Sequence, residues 1–343
     1  MISLNVGNLW TNEFLDEVIK LNNQHNDIQI TSLFGSGAGI TPTARSGDRL
    51  PYLTDQFISD YINKAQSNNI SIRWTLNQSC IGSTQDFYTL WEHKLKKTLI
   101  HLHDLGVHQW TIASPLVMEL MHTLFPNDLL EVSTIAEVST PEEAARWDLL
   151  GASAVNISTS INRDFNRIKQ IKRVFYNTTI LANEACLYRC PWRRECYNLS
   201  SHDSLRSEKL FNFYPFNRCN TRRIENPVEW LHSRLVLPQW MQIYSDLVDI
   251  NNFKISFRTH PISVALPILK LYMSQQHDGN LLDLWPTVST LGNTPEPSNS
   301  TYISCKKLDQ INFLSEFIDR DCSYSICDIT CKVCKNAYEY AKQ

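Results

Sequence analysis

Between Asn183 and Asn198 the chain reads NEACLYRCPWRRECYN, which places Cys186, Cys190 and Cys196 close together and sets Arg193 and Arg194 between the last two. Cys219 follows on a polar stretch. Thiolates are soft ligands. Crowded thiols in a chain without a secretion signal bind metal or do redox work more often than they form structural disulfides. The first chemistry written here is therefore a Cys-ligated cofactor. A second set, Cys322, Cys327, Cys331 and Cys334, has the spacing C-x4-C-x3-C-x2-C. Thiols this dense suggest a second metal, zinc or iron–sulfur, with an exposed reducible disulfide as the plainer alternative. Cys305, ahead of two lysines, reads as a packing residue.

Other chemistries find less support. The ten histidines are scattered, and neither an H-E-x-x-H zinc motif nor a G-x-S-x-G elbow is present. The loop GSGAGITPTARSGDRLP (35–51) is glycine-rich but lacks the Lys-Ser/Thr of a phosphate loop. It carries Arg45, Asp48 and Arg49, and its length marks it as functional. Arg45, Arg49 and Arg258 are candidates for holding substrate carboxylates or phosphates bidentately, against ordinary salt bridging as the plain reading. His260, directly after the last strand, is the histidine worth inspecting. His93, His101 and His103 fall on an expected helix and read as surface residues.

Composition sets the background. The chain has 343 residues, 43% hydrophobic and 20% charged, with a net charge of -3. That is an ordinary globular balance with no polybasic footprint, so nucleic acid is not the expected partner; a small molecule or a peptide is. No apolar run approaches the ~20 residues of a membrane span, and MISLNVGNLWTNEF does not read as a signal peptide. The expected location is the cytoplasm, where thiols stay reduced and open to metal.

The elements that must position these residues follow a regular alternation. Strands are expected at 2–6, 28–34, 71–77, 109–114, 129–137, 153–159, 178–185 and 253–259, with helices at 12–22, 54–67, 85–104, after Pro115, from Pro141, 162–175 and 261–276. Thr140, Pro141 and Glu143 write a capping box at one helix start. Strand seven runs straight into the cysteines; a long polar insertion (198–226) and helical segments near 227–235 and 239–247 come before strand eight. Eight strand–helix units predict an α/β fold, a (β/α)8 barrel, over 1–285, with the cluster-binding insertion at about 186–226. Residues 286–301 read as a linker and 302–343 as a Cys-rich tail. In such a barrel the strand C-termini form the active face. Asn8, the Arg45 loop, Cys80, Ser114, Glu137, Asn162, Cys186 and Arg258 all fall there. Cys80 and Cys186 thus reach one mouth, where Cys190 and Cys219 can join them. Four thiolates suit a [4Fe–4S] cluster or a structural zinc. Their dispersal over the mouth, rather than in paired knuckles, favours iron–sulfur. Cys196 is a spare thiol or an alternative ligand to Cys80.

The segments TLNQSC (75–80), NRD (162–164), NEACLYRCP (183–191), R-x-x-C-Y-N (193–198), Cys219, FKISFRT (253–259) and the cysteine tail together resemble the collagenase-like peptidase family, peptidase family U32. Where that family places His before Tyr/Phe-Asn, this chain has Cys196. The resemblance implies a [4Fe–4S] cluster on Cys80, Cys186, Cys190 and Cys219. It implies an oxygen-independent hydroxylase more than a protease, with prephenate as the oxygen donor and, in some members, a second protein of the family as a working partner. A collagenase-like peptidase and a non-catalytic iron–sulfur partner subunit are the alternatives.

Overall fold

The computed structural model describes residues 1–82, 94–184, 186–204, 214–257, 260–285 and 301–342. Eight parallel strands close into a barrel in chain order: β1 Ile2–Gly7, β2 Ile28–Gly35, β3 Ser71–Leu76, β4 Gln109–Ile112, β5 Leu129–Val132, β6 Ala154–Asn156, β7 Thr178–Leu181 and β8 Asn252–Ile255. Closure is direct: Ser3 pairs with Asn252 and Val6 with Ile255. A register shift between Leu4 and Asn5 adds a bulge against β2.

The strands are apolar because both faces are covered. Leu4, Val6, Leu33, Ile112, Val132, Ile180 and Phe253 are fully buried, each worth about 1.5–3 kcal/mol relative to exposure. Helices pack outside. Asn12–Gln24 is capped by Thr11, whose side chain accepts from Phe14 N, and it buries Phe14, Leu15, Val18 and Leu21. The expected capping box is present: Glu143 N donates to Thr140 Oγ1 at 3.2 Å, and Thr140 N to Glu143 Oε2 at 3.0 Å.

The barrel interior holds a charged group as well. Glu131 on β5 is 0% exposed and ion-paired to Arg73 on β3 and to Lys254 on β8, the latter at 3.3 Å. Thr111 on β4 donates to it at 2.9 Å. Burial opposes ionisation, yet the two cations and the hydrogen bonds hold this carboxyl below the usual range.

Several boundaries differ from the sequence expectation. Strand five stops at Val132, and 134–136 turn into a 3₁₀ helix ending at Glu137 in a left-handed conformation (φ 57°). The helix expected at 162–175 is Phe165–Lys172, because Asn162 and Arg163 are used as tertiary clamps and Asp164 becomes the N-cap. The segment 227–235 contains one helical turn, Glu229–His232. The polar insertion, given no element from sequence, contains helix Tyr214–Glu225 and most of helix Arg193–Asp203. Of the helix expected at 85–104, Lys96–Asp104 is described. Residues 286–300, most of the expected linker, lie outside the described residues, as does Arg258. The tail that follows is docked. Leu281 N donates to Ile303 O at 2.8 Å, Trp240 Nε1 donates to Asp309 at 2.6 Å, and Cys305 is buried in the core.

Candidate metal centre at the barrel mouth

Two asparagines fix the ends of the strands that carry the cysteines. Asn183, two residues beyond β7, accepts from Ser256 N at 2.8 Å and donates to Leu284 O at 3.2 Å, so β7 and β8 leave the barrel together. Asn162 donates to Leu181 O at 2.9 Å and Arg234 O at 3.2 Å, and Arg163 to Leu231 O at 2.7 Å. These bonds return the chain after the insertion to the barrel, where Val236 N meets Ala182 O at 2.9 Å. The NE and NRD elements are thus clamps that close the cysteine insertion as a loop over the mouth. Asn162, Arg163 and Asn183 do this with buried side chains that bond to main-chain carbonyls and amides.

On this frame Cys186, Cys190, Cys196 and Cys219 come together electrostatically. Burial pushes the Cys186 thiol up, with Glu184 adding to this while Arg193 and Arg223 oppose it. The Cys190 and Cys219 sulfurs hydrogen-bond to each other, and that bond lowers Cys190 to about 6 while it raises Cys219. Cys196 is pushed up to about 11, by burial first, and it feels both Cys190 and Arg45. Cys80 stands beside them: its neighbour Ser79 donates to Asn198 Oδ1 at 2.7 Å, and Ser79 N donates to Ser201 Oγ at 2.9 Å, both on the helix of Cys196.

The charges around the thiols are cationic. Arg193 and Arg223 are buried. Arg193 pairs with Glu137 at 3.0 Å and lies over the Tyr197 ring; Arg223 lies over Trp230 at 4.6 Å. Among the described residues Arg193 Nη2, Arg223 Nε and Asn220 Nδ2 are buried donors without an acceptor. Unsatisfied buried donors are costly, about 1–3 kcal/mol each. Sulfur ligands of a cluster are acceptors of the kind these donors lack. The residues present therefore fit a thiolate-ligated cluster. Sequence reasoning missed Arg223 and singled out Arg194 no less than Arg193. The available signal was helical: Cys219 and Arg223 are four apart and share one face.

Beside the thiols is a cavity of about 260 Å³ whose walls include Glu137, Cys186, Cys190, Arg193 and Arg234. A smaller recess of about 40 Å³ over the barrel axis is walled by Arg45, Asn77, Glu184, Tyr197 and Lys254. Asn77 shapes it by accepting from Thr43 Oγ1 at 2.9 Å and Ala44 N at 3.2 Å, which folds the glycine-rich loop onto β3. Arg45, Arg49 and His260 act on one another: burial, then Arg49 and Arg45, lower His260, and burial lowers Arg49 with Asp48 opposing.

Two other ligand-type groups lie away from the mouth. Cys322, Cys327, Cys331 and Cys334 share a small cavity with Arg163 and Arg234. His103, His108 and Asp128 have ligand atoms within 4.8 Å of one another, at the N-terminal ends of β4 and β5. Asp128 is committed there to Trp110 Nε1 at 2.7 Å and to the two imidazoles at 3.4 and 3.6 Å. No helix among the described residues is long and apolar enough to cross a membrane.

The pattern of peptidase family U32 matches residues 47–188. The uncharacterized protease MJ1657 of Methanocaldococcus jannaschii is 31% identical over 237 residues, covering 66% of this chain and 67% of that protein. Among solved structures, the U32 peptidase Mk0906 is similar at 19% identity and TM-score 0.49, over 63% of this chain and 84% of its own. A D-psicose 3-epimerase of Clostridium cellulolyticum H10, solved with D-tagatose, follows at 14% identity and TM-score 0.38, over 57% and 80%. The chain belongs to peptidase family U32.

Proposed function

We propose that the chain is a [4Fe–4S] enzyme that hydroxylates a small molecule or peptide without molecular oxygen, with prephenate as the oxygen donor. One observation carries the reading: thiols from three separate segments meet beside an open cavity under buried donors that lack acceptors. Cys186, Cys190 and Cys219 are the first three ligands. Cys196 interacts with Cys186 and Cys190 and competes with Cys80 for the fourth position.

The cluster would supply a Lewis-acidic iron and an electron reservoir at the cavity wall. The protein's own groups do the rest. Arg45 and Arg49 hold the donor's carboxylates, as guanidinium groups do bidentately. His260, whose basicity is lowered, is neutral near pH 7 and can take a proton from a substrate group. Arg193, fixed by Glu137, holds negative charge at the thiolates.

Peptide hydrolysis is the second reading. It is favoured by the family's name and by the lowered Cys190 thiol, which as a thiolate is a nucleophile. The two readings separate in one experiment. Anaerobically purified protein is analysed for iron and sulfide, then assayed with prephenate and with peptides. About four irons per chain and prephenate-dependent hydroxylation support the first. Peptide cleavage by iron-free protein, blocked by alkylating Cys190, overturns it in favour of the second.

A further inference from the structure

The tail cysteines form a second site of different construction. Cys322 begins a 3₁₀ turn, and Cys327 and Cys331 pair as an isolated parallel bridge. Cys334 sits on helix Val333–Ala341. Asp328 N donates to Cys331 O at 2.8 Å, and Cys331 N to Ile326 O at 3.2 Å, so the loop is folded on itself. Arg320 Nη1 donates to Cys331 Sγ at 3.7 Å. His232, on the helical turn after the insertion, and Asn226, at the insertion's end, reach Asp328 at 3.5 and 3.4 Å and tie the loop to the barrel.

Beneath the thiols lie two buried guanidinium groups. Arg163 is 2% exposed and Arg234 5%. Arg163 is enclosed by Phe313 at 4.9 Å, Phe317 at 5.2 Å and Trp240 at 5.8 Å. Arg234 lies over Tyr188 at 4.3 Å and donates to the Cys322 sulfur. Neither pairs with a carboxylate among the described residues, and the Nε of each has no acceptor. A buried cation without an anion is strongly unfavourable. The anions within reach are the cysteine sulfurs. Four thiolates around a doubly charged core, one Zn²⁺ or one [4Fe–4S]²⁺, carry two net negative charges, which match the two arginines.

We propose that Cys322, Cys327, Cys331 and Cys334 hold such a thiolate-ligated core and that Arg163 and Arg234 are its buried counter-charges. The space among them is about 10 Å³, room for no substrate, so the core is structural. Arg234 and Tyr188 also wall the mouth cavity, so the tail core buttresses one side of it. This inference does not rest on the reaction proposed above.

The test uses the full chain, purified without oxygen, with zinc, iron and sulfide measured per chain. Against wild type, Cys331→Ser/Cys334→Ser loses one zinc or four irons, and which element falls identifies the core. Cys186→Ser/Cys190→Ser retains that portion. Arg163→Met makes chelator removal of the core about tenfold faster or more, and Arg163→Lys recovers part of this, because the charge rather than the shape is what the core needs. If the serine variant does not fold, alkylation of wild type replaces it: Cys327 and Cys331 become reactive only after chelation. Metal content unchanged in the tail variant, or tail thiols equally reactive before and after chelation, overturns the proposal.

Discussion

The mouth and the tail use the same parts, four cysteines and two buried arginines, at different scales. The mouth gathers its thiols from the loop after β7 and from two helices, and leaves about 260 Å³ open beside them. The tail takes its thiols from one short segment and closes over about 10 Å³. Openness costs the mouth more support: Asn162, Arg163 and Asn183 are spent on holding strand ends. The tail uses its own turns, the contacts of Asp328 and two arginines, Arg163 and Arg234, that the barrel supplies. A thiol set assembled across the fold can admit a substrate to a ligated metal. A set assembled locally can only fasten chain to chain.

The sharpest way to break this contrast is to remove the mouth. Cys186→Ala and Cys190→Ala are expected to abolish prephenate-dependent turnover and to lose the mouth iron, about four atoms per chain, while tail metal stays. Iron and zinc analysis of each variant checks it; full iron in either variant would remove that residue from the ligand set.

Next in size is the charge buried inside the barrel. Glu131→Gln leaves Arg73 and Lys254 as buried cations without their anion, which is expected to cost about 3–5 kcal/mol by urea unfolding. The sign with pH follows from the lowered carboxyl. The ionised form is favoured by folding, so its contribution is present above the unfolded pKa of about 4.3 and fades as pH falls through the lower folded value. The wild type loses that increment on acidification and the Gln variant has none to lose.

Much of this was legible in the sequence. Eight alternating units give a barrel because each apolar strand must be covered on both faces, and the helix between supplies the cover. The mouth cysteines were legible because chain order places them after β3 and β7, whose C-terminal ends open on one side. What was not legible was pairing at a distance. Arg223 opposes the raised Cys219 thiol from a helix inside the polar insertion, for which no element was assigned from sequence. Arg163 belongs to a segment that resembles a family motif, yet its guanidinium both clamps the Leu231 carbonyl and lines the tail cavity. Strand five was overextended because STIAE is as apolar as a strand end, while Ser133 caps a 3₁₀ turn there instead.

Thiol chemistry sharpens the contrast within one sample of metal-free protein. Cys190 is lowered to about 6, first by the Cys219 hydrogen bond, whereas burial pushes Cys334 up to about 12 against Arg163 and Arg234. At pH 7.5 Cys190 is expected to be mostly thiolate and Cys334 thiol. Iodoacetamide labelling read by peptide mass spectrometry should therefore mark Cys190 with a midpoint near pH 6 and leave Cys334 unlabelled. Cys219→Ala should move the Cys190 midpoint upward, because the thiolate loses its donor. A midpoint unmoved by that change would show that the arginines alone set it.

The smallest effect tests whether the two sites answer to overall stability at all. Thr140→Ala deletes the cap of helix Pro141–Leu149, which carries none of the cysteines. The expected cost is about 1 kcal/mol, seen as a lower urea midpoint with an unchanged slope. Metal content and the labelling midpoint of Cys190 should be those of wild type. A loss of tail metal here would mean that the tail core is bound only marginally and follows global stability. In that case four local thiols would be insufficient without the barrel's full packing behind Arg163 and Arg234, and the division between an assembled mouth and a self-contained tail would fail.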